Sequence, residues 1–172
     1  LQARGLDRSD RVAVVLPNGP QMAATFLSVA SVVTCAPLNP SLTAEDFEFY
    51  LSDLAASGLI VADDSPAEVV DVAHRLGIAT ISTEALFADG SESLVEHGAN
   101  DDLALILHTS GTTSRPKLVP LTHANLCTSA ASVASSLNLT AQDRCLNVMP
   151  LFHIHGLVGV LLASMQAGAS VI

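Results

Sequence analysis

Four hydroxyl residues, Thr109, Ser110, Thr112 and Thr113, surround Gly111 in the stretch His108-Thr-Ser-Gly-Thr-Thr-Ser-Arg-Pro-Lys117. Ser114 follows them, and Arg115 and Lys117 bring positive charge close behind. The preceding run, Leu103-Ala-Leu-Ile-Leu107, reads as a buried strand. A loop leaving a strand end, dense in hydroxyl and backbone N–H donors and carrying an ammonium, is suited to holding a polyphosphate. It is not a Walker A loop, which needs Gly-Lys-Ser/Thr at its end. Here Pro116 precedes Lys117 and Leu118 follows it. Composition alone leaves a plain Ser/Thr-rich surface loop as the competing reading.

A second concentration of chemistry is Pro150-Leu-Phe-His-Ile-His-Gly156. His153 and His155 could be a metal pair, but two histidines without a further Cys, His or carboxylate nearby fall short of a zinc ligand set. A satisfied core histidine is the other plain reading of His153. Asp63-Asp64 and Asp101-Asp102 read as a helix start and a solvated linker rather than metal ligands. His123 follows Thr122 at a helix start, where a cation is disfavoured, so it reads as neutral and structural. His74 and His97 are assigned no role.

The elements that must position these residues alternate strand and helix, which argues for an α/β fold with a mostly parallel sheet and helices on both faces. Strands are expected at residues 11–16, 35–38, 58–62, 78–81, 103–107 and 144–149. Helices are expected at residues 21–33, 44–54, 67–76, 122–137 and 157–166, with Thr43 and Thr122 as N-caps and Gly77 as a C-cap. Phe26, Leu27, Phe47 and Phe49 fall at helical spacing and read as core. Residues 82–102 turn polar and acidic and form a linker-like loop with one short helix. Both ends look cut, so residues 1–172 read as part of a larger domain.

Charged residues make up 14% of the chain, below the roughly 25% usual in soluble domains, so many faces must be buried. The formal charge of −10 argues against a nucleic-acid partner, which needs clustered Lys and Arg. Cys35, Cys127 and Cys145 lack Cys-x-x-Cys spacing and read as small apolar core residues in a reducing compartment. No apolar stretch reaches the ~20 residues of a transmembrane helix. The charged opening segment does not read as a signal peptide, which points to the cytoplasm, with a peroxisomal address as the alternative.

The segment His108 to Lys117, continued by Val119-Pro-Leu-Thr-His-Ala-Asn-Leu126, resembles the phosphate-loop motif of the adenylate-forming (acyl-CoA synthetase) superfamily. Ser114 stands where that motif usually has Gly, and Leu118 where a second Gly usually follows the lysine. The Ser form, with His108 ahead of it, resembles the oxalate–CoA ligase-like branch. Asp10-Arg-Val-Ala-Val-Val-Leu-Pro-Asn-Gly19, Ala36-Pro-Leu-Asn-Pro40 and Pro150-Leu-Phe-His-Ile-His-Gly156 resemble further core segments of the same superfamily. The resemblance runs from about Arg8 to Ile172 and implies the front part of the large N-terminal domain of the adenylate-forming fold.

Its implied reaction is ATP-dependent ligation of a carboxylate to coenzyme A through an acyl-adenylate, with Mg²⁺ bridging phosphate oxygens. Thr109, Ser110, Gly111, Thr112, Thr113, Ser114 and Lys117 would hold the nucleotide phosphates. His153 would face the substrate carboxylate or the adenylate. A small dicarboxylate such as oxalate is the implied substrate, with medium-chain and aromatic acids as others. The superfamily's later motifs, including a catalytic lysine, are absent from these residues, so the fragment alone is expected to be inactive. Two alternatives stand beside this reading: an adenylation domain serving a carrier-protein thiol, and a non-catalytic interaction module.

Overall fold

Alternation of apolar side chains builds the central strand and both layers around it. In β1 (Arg11–Val15), Val12 and Val14 are buried on one face and Ala13 and Val15 on the other. A strand apolar on both faces must be covered on both, as parallel sheets are. A computed structural model describes residues 1–88, 96–109 and 116–172 and shows this arrangement. β1 lies between β2 (Thr34–Pro37) and β3 (Gly58–Val61), in a six-stranded sheet of order β4-β3-β1-β2-β5-β6. β4 (Ala79–Ser82) pairs parallel with β3 and β5 (Leu103–Thr109) parallel with β2, whereas β6 (Lys117–Thr122) runs antiparallel to β5.

One face is covered by α1 (Pro20–Ala30) and α5 (His123–Ser136), which contribute Met22, Phe26, Val29, Leu126 and Ala130. The other face is covered by α2 (Ala44–Leu54) and α3 (Ala67–Arg75), through Phe47, Leu51, Leu54, Val69 and Val72. Both Thr caps form reciprocal capping boxes. Thr43 Oγ1 accepts from Asp46 N at 3.2 Å, and Asp46 Oδ2 accepts from Thr43 N at 3.1 Å. Thr122 and Asn125 repeat the exchange at the start of α5. Gly77, at φ 70°, takes the left-handed turn that ends α3. The linker-like region holds α4 (Thr83–Ala88), the expected short helix.

Several expectations are corrected. Residues 117–122 form a strand, which Pro120 disguised in the sequence. β6 is an edge strand, where alternate N–H groups point away from the sheet and proline is tolerated. The strand expected at 144–149 shrinks to β7 (Arg144–Cys145), paired with β8 (Ser170–Val171). Beyond it the Asn147 side chain diverts the backbone, accepting from Met149 N at 3.1 Å and donating to the Gly156 carbonyl at 3.3 Å.

The last helix begins earlier than expected, as a π-helical segment His155–Leu162 that passes into α6 (Ala163–Gln166). His155 and Gly156 are therefore helical rather than loop. Of the cysteines only Cys35 is core; Cys145 is half-buried and Cys127 is exposed on α5. Phe26 and Phe47 are core as expected, whereas Leu27 is half-buried against the core and Phe49 is half-buried outside it. Among the described residues no helix is long and apolar enough to cross a membrane.

Candidate functional site

The hairpin of β5 and β6 carries the hydroxyl-rich loop. Its last cross-strand pair is Thr109 with Lys117, preceded by His108 with Leu118. Residues directly opposite in an antiparallel pair share a face, so Thr109 and Lys117 stand together, both exposed. Neither side chain hydrogen-bonds to a described residue. Ser110, Gly111, Thr112, Thr113 and Ser114 lie outside the described residues, so only the two ends of the expected phosphate loop are placed. Below Thr109 and Lys117 on the same face, Leu107, Val119 and Leu121 line a cavity of ≈ 220 Å³. Asn125 and Ser129 of α5, and Ile154 and Val158 beside and within the π-helical segment, close its other walls.

Ile154 is the neighbour of His153, so the cavity joins the two motifs that the sequence singles out. His153 itself is exposed and packs its ring against Phe152, centroids 4.8 Å apart. Within residues 1–172 it is therefore not a core side chain. No group of three metal-ligating side chains is arranged to hold an ion among the described residues. The loop is held from two sides. Leu151 N donates to Asn18 Oδ1 at 2.9 Å, tying the loop to the turn after β1. Gly156 lies against the Pro150 carbonyl so closely that a Cβ would fall 2.5 Å from that oxygen. The Asn18 tie brings residues 150–156 to the carboxyl edge of the parallel strands, where open α/β sheets receive ligands.

On the opposite face of the same hairpin end, His108 is enclosed. Its side chain is 5% exposed, and Nε2 lies 3.1 Å from Asp53 Oδ2 near the end of α2. The Tyr50 ring meets the imidazole edge-on, centroids 4.4 Å apart at 80°. Burial lowers the His108 pKa from its ordinary value, and the Asp53 hydrogen bond and charge only partly oppose this. Neither Asp53 nor Tyr50 stood out in the sequence. A signal existed, since a carboxylate in the last turn of a helix works against the helix dipole and calls for a partner. Asn18 and Asn125 fall within segments that resemble the superfamily, whereas Ser129 carried no signal.

The AMP-binding enzyme family model matches the chain over residues 1–172. The chain belongs to that family. AMP-binding relatives include an oxalate–CoA ligase of Arabidopsis thaliana, 41% identical over 97% of this chain and 35% of that protein. An oxalate–CoA ligase of Saccharomyces cerevisiae is 33% identical, over 96% of this chain and 37% of its own length. The chain therefore spans about a third of these relatives. Among solved structures, ATP-bound MatB from Rhodopseudomonas palustris superposes with a TM-score of 0.90 at 26% identity, covering 100% of this chain and 36% of MatB. The o-succinylbenzoate CoA synthetase MenE of Bacillus subtilis, in complex with its acyl-adenylate intermediate, gives 0.86 at 30% identity, with 99% and 44% covered. The adenylate-forming fold expected from the sequence is the one observed, with the mostly parallel sheet and its two helical layers in place.

Proposed function

We propose that the protein containing this chain is an ATP-dependent carboxylate–CoA ligase, and that the chain supplies its phosphate loop and the histidine facing the acyl group. One observation carries the reading: Thr109 and Ile154, from the two motifs, line a single cavity whose face Lys117 shares. The likeness to CoA ligases in sequence, and to an ATP complex and an acyl-adenylate complex in structure, supports it.

In the first step a carboxylate oxygen attacks the α-phosphorus of ATP and pyrophosphate leaves. Two anions must meet, so neutralising charge and fixing geometry are what the protein contributes. Lys117 supplies a point charge to the phosphates. Thr109, Ser110, Thr112, Thr113 and Ser114 donate hydroxyl hydrogen bonds, and the Gly111 N–H adds another. Mg²⁺, arriving with the nucleotide, supplies further neutralisation of phosphate charge. No acidic side chain pairs with Lys117 among the described residues, so this end of the hairpin is open to an anion. His153, exposed beside the cavity, donates to the carboxylate or to the adenylate. In the second step the CoA thiolate attacks the acyl carbon and AMP departs. The oxalate–CoA ligase relatives favour a small dicarboxylate.

The test is pyrophosphate release by the full-length protein with ATP, Mg²⁺, CoA and a panel of carboxylic acids. Release that depends on oxalate or a related diacid, with formation of the CoA thioester, is the expected result. Carboxylate-dependent release that transfers only to a carrier-protein thiol would replace CoA as acceptor. No carboxylate-dependent release with any acid would overturn the reading.

A further inference from the structure

The imidazole of His108 is buried at a position where the fold does not require one. Its neighbours on the α2 face of the hairpin, Ile106 and Leu118, are apolar and belong to or pack against the core there. A leucine would fill such a position without needing partners, whereas a buried imidazole is costly unless its nitrogens are bonded. The bond it makes crosses from the sheet to α2. Nε2 meets Asp53 Oδ2 at 3.1 Å, and Tyr50, one turn earlier on the same helix, holds the ring plane edge-on. With a carboxylate as partner, Nε2 carries the proton. Nδ1 is then a buried lone pair with no hydrogen bond to a described residue.

Asp53 gains nothing from its own helix, because the last turn of α2 presents the negative end of the dipole. The pairing is therefore explained by what it holds. His108 directly precedes Thr109, and the Thr109–Lys117 pair has no side-chain hydrogen bond to a described residue that would fix it.

We propose that His108 and Asp53 form a brace that positions the nucleotide-binding end of the hairpin. The pair locks the end of β5 to α2, and so sets where Thr109 and Lys117 stand. Neither brace residue touches ATP; each acts through the strand. This rests on the reading that Thr109 and Lys117 meet the phosphates. Tyr50 keeps the imidazole from rotating away from Asp53, so the bond is preformed rather than made when nucleotide arrives.

The experiment measures Mg-ATP affinity by calorimetry on the full-length protein, alongside carboxylate-dependent ATP–pyrophosphate exchange. His108→Leu and Asp53→Ala are each expected to weaken Mg-ATP about tenfold, roughly one hydrogen bond to a charged group. The double variant is expected to lose no more than either single one, as residues acting through one contact do. His108→Gln, whose side-chain amide can still donate to Asp53, is expected to recover most of the affinity. A merely structural role would lower the melting temperature and leave the affinity of the folded molecules unchanged. Affinity within twofold of the parent in folded single variants, or additive losses in the double variant, overturns the brace. If His108→Leu does not fold, Asp53→Ala at the protein surface decides the question. A parent that binds Mg-ATP but shows no exchange overturns the ligase reading while the brace is still tested. A parent that does not bind Mg-ATP overturns both.

Discussion

Lys117 and His153 are exposed side chains whose value lies in charge and reach, whereas His108 is enclosed, and the three respond differently to substitution. Lys117→Ala is expected to raise the KM for ATP in the full-length protein by about tenfold to a hundredfold, the scale of one lost phosphate contact. Pyrophosphate-exchange kinetics check this, and unchanged ATP dependence would remove Lys117 from the site. His153→Ala is expected to lower kcat more than it raises the KM for ATP, as the proposed contact with the acyl group in place of the phosphates requires.

The effect of pH follows from the depressed pKa of His108. The folded chain keeps this ring neutral below the ordinary value of 6.5, while the unfolded chain takes up the proton there. The unfolded state then binds more protons, so stability is full above that value and falls as pH drops through it. The groups facing the ring are Asp53, which favours protonation, and Tyr50. His108→Gln is expected to flatten the fall of melting temperature between about pH 5 and 7. Thiol chemistry separates the cysteines in the same way. Burial pushes the Cys35 thiol up, whereas Cys127 is exposed. A thiol reagent is expected to label Cys127 in the native chain and to reach Cys35 only after unfolding.

At the scale of elements, placement of the His153 loop depends on contacts distant in sequence. Asn18 follows β1, and its side chain satisfies the N–H of Leu151. Asn18→Ala leaves that partly buried donor unpaired, at a cost of about 1–3 kcal/mol. Hydrogen exchange at the Leu151 amide is expected to rise in this variant, with kcat falling as His153 loses its placement. Exchange equal to the parent would mean that another group holds the loop. Gly156 is the stricter case, because any Cβ would strike the Pro150 carbonyl. The π-helical segment that follows brings Leu157, Val158 and Leu161 onto the core, so the loop enters a helix already anchored there.

For the whole molecule, the informative surface is apolar. Leu146 and Val148 are 68% and 76% exposed, and Ile172 is 60% exposed. Nearby, Ala23, Leu27, Met149, Leu151, Leu161 and Val171 line a second cavity of ≈ 360 Å³. Apolar surface of this kind drives association when it is left uncovered. Residues 1–172 expressed alone are expected to bind a hydrophobic dye and to self-associate in light scattering, and to form no acyl-CoA. A monodisperse monomer that binds no dye would show that the surface is tolerated by itself.

Sequence by itself determined the fold class and the two motifs, because both are local. Alternation in β1, the Thr43 and Thr122 caps and the apolar stripes of α1 and α2 are readable within a few residues. So is the order of donors from Thr109 to Lys117. Tertiary structure decided what those residues face. β6 was hidden by Pro120, since only a position at the sheet edge makes that proline tolerable. Asp53 and His108 are 55 residues apart and meet only because α2 crosses the end of β5. Asn18 and Leu151 are separated by 133 residues and meet through the packing of the whole sheet. Local preferences act over a helical turn or a strand pair, whereas these contacts arise where separate elements are pressed together by burial of a shared core.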